Sequence, residues 1–129
     1  MNQPDFLNKN SNDEKTIPGT QRWLTRLNMI VERNVENAEM NNKKLAERLE
    51  VSERDLFRKV KQLTGLSPQK YLRQFRLKKA MHNLKTGKIR TVKEAAHASG
   101  YTNVSYFIIQ FEKEFGNRPF QVLKEFGWR

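Results

Sequence analysis

Apolar residues in this chain recur at helical spacing almost from end to end. Leu24, Leu27, Val31 and Val35, with Trp23 and Ile30 beside them, mark one face of an amphipathic helix from Thr20 to about Asn34. A short helix is predicted over Asn42 to Leu49, followed by a turn at Glu50-Val51. Leu56, Val60 and Leu63 stand at i, i+4 and i+7, which turns one face of a helix over 53–64 inward. Ser52 precedes it as an N-cap whose hydroxyl can accept from the Asp55 amide while the Asp55 carboxylate reaches back, and Gly65 ends it. Ser67-Pro68 opens a longer run to about Lys85, with Tyr71, Leu72, Phe75, Met81 and Leu84 on a broad apolar face against Lys70, Arg73, Lys78 and Lys79. Thr91 and Glu94 form a second capping box before a helix through Ser99. Another helix spans about Asn103 to Phe115, and a last one begins near Pro119. Tyr106, Phe107, Phe111 and Phe115 read as its core residues. No segment alternates with period two, so the fold class is all-α with about seven helices.

Two stretches of this pattern are the same unit repeated. Ala46, Glu50 and Val51 return 50 positions later as Ala96, Gly100 and Tyr101, and Leu56, Val60, Gly65 and Pro68 return 51 positions later as Phe107, Phe111, Gly116 and Pro119. The one-residue offset falls in the turn. There it is harmless, whereas inside a helix it would rotate every later side chain by about 100° out of its face. Each copy is helix, tight turn, helix, the arrangement that places a second helix in a DNA groove. The run between them, at ~1.5 Å per residue, spans about 25 Å and can hold two lobes near the ~34 Å spacing of successive major grooves. The predicted organisation is a disordered tail or linker over 1–19 and a domain over 20–129. Within the domain, a first lobe covers about 20–66, a linking helix about 67–86 and a second lobe about 90–129.

Charge narrows the choice of partner. The net charge is +11, and its distribution is uneven: residues 42–90 carry fifteen Lys/Arg against four Asp/Glu, while the flanking segments are nearly balanced. A merely solubilising surface spreads its charge, so a basic block on one repeat and the helix after it points to a polyanion. The chain has no Cys, which excludes disulfide frameworks, zinc ribbons and thiol nucleophiles. Its two histidines, His82 and His97, belong to no ligand or nucleophile pattern, so neither an enzyme nor a metal or cofactor site is predicted. With no signal-peptide pattern and no run near ~18 apolar residues, a soluble cytoplasmic domain without membrane contact is expected.

On the outward strip of the first repeat's second helix stand Arg54, Arg58 and Lys61, with Phe57 alongside. Arg can bond a guanine edge through two parallel donors, and Lys61, a turn further on, suits a phosphate. Ser52, at the helix start, is a second phosphate candidate. Shifting by 51 puts Ser105, Ile108, Ile109 and Glu112 at the positions of Arg54, Phe57, Arg58 and Lys61. That strip holds no bidentate reader, and Glu112 repels phosphate. Ser105 and the amides around Asn103 can still hold a phosphate, and Ile109 can touch a thymine methyl. The competing reading is a helical protein-interaction or dimerisation module, which accounts for the helices but not for the localised charge.

From about Leu45 to Leu123 the chain resembles the DNA-binding domain of AraC/XylS-type transcription regulators. The resemblance is carried above all by Gly100-Tyr101, Ser105-Tyr106-Phe107, Phe111, Phe115-Gly116 and Pro119. It implies two helix-turn-helix lobes on one linking helix, with both recognition helices, about 53–64 and 103–115, in successive major grooves of double-stranded DNA. It gives a base-facing role to Arg54, Phe57 and Arg58 in the first lobe and to Ser105 and Ile109 in the second. The chain departs from the family pattern at Ile109 and Glu112, often basic there, at Arg118, and at Val122-Leu123. The segment from Trp23 to Met40 is similar to the lead-in found when this domain is the C-terminal output module of two-component regulators. That implies an upstream sensory or receiver domain outside this chain, and RNA polymerase as a further partner.

Overall fold

The computed structural model describes residues 19–127; the expected tail lies largely outside them. Among the described residues there are seven α-helices and no strand: α1 Gly19–Arg33, α2 Asn42–Leu49, α3 Glu53–Thr64, α4 Pro68–Lys85, α5 Val92–Ala98, α6 Val104–Phe115 and α7 Pro119–Val122. A π-helical turn over Leu123–Gly127 continues the last of them. Gly19, the last residue of the expected tail, is instead the first residue of α1.

Helix ends follow the local chemistry. The Ser52, Ser67 and Thr91 hydroxyls accept from the amides of Asp55, Lys70 and Glu94, each satisfying a first-turn donor that has no partner within the helix. Two boxes differ from expectation. The Asp55 carboxylate does not reach back but accepts from Arg58 Nη2 at 2.8 Å. That of Glu94 accepts from the Arg90 amide, one residue before the cap. Gly65 and Gly116, both at positive φ, close α3 and α6 through their amides to Lys61 O and Glu112 O.

The repeat holds down to single hydrogen bonds. Val51 N donates to Ala46 O in the first unit and Tyr101 N to Ala96 O in the second; Glu50 N donates to Glu47 O, and Gly100 N to His97 O. Both turns pass through the left-handed region, at Glu50 (φ 59°) and Gly100 (φ 90°). Glu50 is exposed and keeps a side chain there. A Cβ on Gly100 would collide with the Val35 carbonyl and the Arg76 guanidinium, so this turn tolerates only glycine.

Two separate cores result. Leu27, Val31, Met40, Leu45, Ala46, Leu49, Leu56, Val60 and Leu72 form the first. Leu77, Ala80, Leu84, Ala95, Ala96, Tyr101, Phe107, Phe111, Val122 and Leu123 form the second. The division falls within α4. Leu72 and Leu77 are five residues apart, which is about 140° around a helix. The N-terminal half of α4 therefore buries one face in the first core while its C-terminal half buries nearly the opposite face in the second. The broad apolar face read from sequence is thus two narrower faces in succession. Tyr71 Oη donates to Asn28 Oδ1 at 2.6 Å and ties α4 to α1.

Three core assignments need correction. Tyr106 is 45% exposed: Phe107 and Phe111 take the inward positions of α6, and Tyr106 is about 100° around the helix from Phe107. Leu63 and Phe115 are only half-buried, each in the last turn of its helix, where the core thins out.

Candidate nucleic-acid interface

With Leu56 and Val60 fully buried, helical geometry leaves α3 no choice about its outer strip. Arg54, Phe57, Arg58 and Lys61 all stand exposed at i, i+3, i+4 and i+7. Phe57 is 52% exposed, a large ring in water with no structural reason to be there. The Arg58 guanidinium is held by Asp55 through one nitrogen, which leaves most of its donors directed outward. Lys61 Nζ rests on the Gly65 carbonyl at 3.1 Å, at the negative end of the helix. Arg58 can leave its solvent-exposed ion pair at little cost, because such pairs contribute no more than about 1 kcal/mol.

The equivalent strip on α6 is chemically different. Ser105 is exposed and Ile109 is 52% exposed, whereas Ile108, at the position of Phe57, packs against the second core. Glu112 forms an ion pair with Arg118 Nε at 3.6 Å. The acidic group at the Lys61 position is therefore partly offset by a residue just before α7. Asn103 Oδ1 accepts from the Tyr106 amide at 2.9 Å. Like the Ser52 oxygen, it spends its acceptor on the helix and keeps its donors for an outside group.

Side chains of this kind on the second helix of a duplicated helix-turn-helix raise the question of kinship. A family profile described as a helix-turn-helix domain matches residues 45–125, both units together. The chain belongs to the AraC-type helix-turn-helix family. As such it is a DNA-binding domain of transcription-regulator type. It is 38% identical over 81 residues to the HTH-type transcriptional activator RhaS of Escherichia coli (strain SE11), a match covering 63% of this chain and 29% of that protein. The chain thus spans less than half the length of the curated relatives it matches. Among solved structures it resembles the C-terminal domain of the two-component response regulator yesN from Fusobacterium nucleatum (29% identity, TM-score 0.71, covering 77% of this chain and 95% of that one). It also resembles a transcriptional regulator with an AraC-type DNA-binding domain from Chromobacterium violaceum (26% identity, TM-score 0.75, covering 83% and 94%).

Three features of this AraC-type surface go beyond the sequence reading. The Asp55 carboxylate serves Arg58 rather than the cap, and Asp followed by Arg three residues later is itself a helical ion-pair spacing that signals it. The Glu112–Arg118 pair spans the Gly116 turn, so no helical register predicts it. Tyr106 belongs to an aromatic run whose members do not share one face. His82 and His97 are both exposed, and no cluster of His, Cys, Asp or Glu among the described residues is arranged to hold a metal ion. No described helix is long and apolar enough to cross a membrane.

Proposed function

We propose that this domain reads double-stranded DNA sequence-specifically and unequally, through α3 in one major groove and α6 in the next. The organisation that fits is a first lobe over about 20–66, a linking helix over 67–86 and a second lobe over 90–129. Arg54 and Arg58 act as bidentate readers of guanine, and Phe57 is an apolar contact for a thymine methyl. Lys61 and the Ser52 hydroxyl contact phosphates. In the second lobe Ser105 and Ile109 face the bases, and Asn103, with the first-turn amides of α6, faces a phosphate. The observation that carries this reading is the exposed strip Arg54, Phe57, Arg58 and Lys61: two forks, a ring and a point charge in a row on the outer face of a recognition helix. The chain serves as the output domain of a longer cytoplasmic regulator whose sensory or receiver part lies upstream, in keeping with its likeness to a response-regulator C-terminal domain, and RNA polymerase is a partner of the assembled protein.

Selection of bound duplexes from a random pool tests this directly, and the expected product is a non-palindromic site with sharp preference in one half. On that site Lys61→Ala should weaken binding almost uniformly across sequences and shallow the salt slope by about one. A pool that yields no enriched sequence would defeat the reading.

A further inference from the structure

Between the starts of α3 and α6 lies a cleft of about 550 Å³. Its walls come from both lobes and the linking helix: Lys43 from α2, Glu53 from the first turn of α3, Arg73 and Arg76 from α4, Tyr101 from the second turn and Tyr106 from α6. Three cations face one carboxylate. Five buried side-chain polar atoms among the described residues lack a protein partner, and three of them, Asn42 Oδ1, Arg76 Nε and the Tyr101 hydroxyl, belong to residues of this cleft. Burial pushes the Tyr101 phenol up to about 12, against the opposing pull of Arg73 and Arg76, so both guanidinium groups act on the same small space. Arg76 is already committed, since its Nη2 donates to the Asn37 carbonyl at 2.8 Å. Arg73 is half-buried and Lys43 exposed at the edge.

A duplex that meets α3 and α6 in successive major grooves must cross the space between them with the sugar–phosphate backbone of the intervening minor groove. We propose that the cleft is a seat for that backbone: Arg73, assisted by Lys43 at the rim, binds a phosphodiester between the two grooves, making the linking helix part of the interface. This rests on the reading given under Proposed function, that both helices face one duplex. The ligand is an anion because the cleft lining sets three cations against the carboxylate of Glu53, an excess that the further carboxylate acting on Tyr101, that of Glu114, does not cancel. It is a backbone group because the cleft lies between the two reading strips, not beside either. Since the walls include both lobes and α4, a phosphate held there sets the register of one lobe against the other without reading any base.

The test uses the whole chain and the duplex it selects, with affinity followed by fluorescence anisotropy over a salt series. Arg73→Gln should weaken binding about three- to tenfold on selected and unrelated duplexes alike and reduce the salt slope by about one, while Arg73→Lys keeps the slope. Lys43→Gln, on an exposed position, should act in the same direction without any demand on folding. A single neutral methylphosphonate between the two half-sites should weaken the wild type and leave the Arg73→Gln variant unaffected. If the wild type binds steeply with salt and both variants keep its slope, the seat is overturned and the groove reading stands. If the wild type shows no salt-dependent duplex binding, the groove reading itself falls. A changed base preference in Arg73→Gln would make Arg73 a base reader and overturn the proposal. So would saturable binding of inorganic phosphate, seen by NMR, that leaves the duplex slope unmoved by Arg73→Gln.

Discussion

The two helix-turn-helix units share a backbone and differ in nearly everything chemical. The first packs an aliphatic core and turns Arg54, Phe57, Arg58 and Lys61 outward. The second packs an aromatic ladder, Tyr101 on Phe107, Phe107 on Phe111 and Phe111 on Phe115, with ring centroids 5.2, 5.7 and 4.7 Å apart, and turns Ser105, Ile109 and Glu112 outward. Equivalent turns use an exposed Glu50 in one and an enclosed Gly100 in the other. Such a pair shows that a fold unit constrains the inward positions and the turn, while the outward strip is free to diverge. The first strip carries two guanidinium forks, a ring and an ammonium group, and the second a hydroxyl, an aliphatic side chain and a carboxylate.

The sharpest test of the turn comparison is expected to give the largest effect. Gly100→Ala should cost ~3 kcal/mol, because it combines a left-handed backbone with a Cβ driven into the Val35 carbonyl. Glu50→Gly should change stability by less than about 1 kcal/mol, relief of αL strain being offset by the chain entropy of glycine. Urea denaturation of both variants decides the matter: equal losses would mean that the two turns are not differently enclosed.

Next in size are the proposed readers. Arg54→Ala and Arg58→Ala should each lose ~1–3 kcal/mol on the selected site and relax preference at one base pair. Ser105→Ala should lose much less. Comparable losses in the two lobes, or equal losses on selected and unrelated duplexes, would break the asymmetry.

Gains sharpen it from the other side. Ile109→Arg supplies the donor that the second strip lacks and should tighten binding, provided α6 enters the groove. Glu112→Lys removes a repulsive carboxylate and should tighten binding more at low salt than at high. Its gain is tempered by the loss of the pair with Arg118. If neither substitution moves the affinity while Arg54 and Arg58 remain sensitive, α6 stands clear of the DNA.

The smallest expected effect concerns the second core. The Tyr101 phenol ionises near 10 in an unfolded chain and near 12 in the folded one, chiefly because it is buried. Its contribution to stability is fully present below pH 10, where both states are protonated. It falls as pH rises from 10 to 12, where the unfolded chain alone loses the proton. Tyr101→Phe should remove that component of alkaline destabilisation while costing little at neutral pH, since the hydroxyl has no protein partner to lose. Urea midpoints of wild type and variant should lie close together at neutral pH and separate above pH 10, with the variant the more stable; parallel curves would contradict it.

Much of the architecture is a local property of the chain. Helix starts at Ser52, Ser67, Thr91 and Asn103, and ends at Gly65 and Gly116, follow from side chains that satisfy or release backbone groups within a few residues. The duplication follows from inward positions at matching spacing, and the outward strip of α3 from Leu56, Val60 and Leu63 on its opposite face. These depend on neighbours three or four residues away, so the sequence alone determines them. What tertiary structure decided involves residues far apart in the chain: the change of apolar face along α4, the enclosure of Gly100 by Val35 and Arg76, the Glu112–Arg118 pair across a turn, and the exposure of Tyr106 beside a buried Phe107. Periodicity specifies that a face is buried but not against what, because one hydrophobic stripe fits many partners. Only when two cores compete for opposite sides of the same helix do the long-range contacts exist that settle which charge meets which.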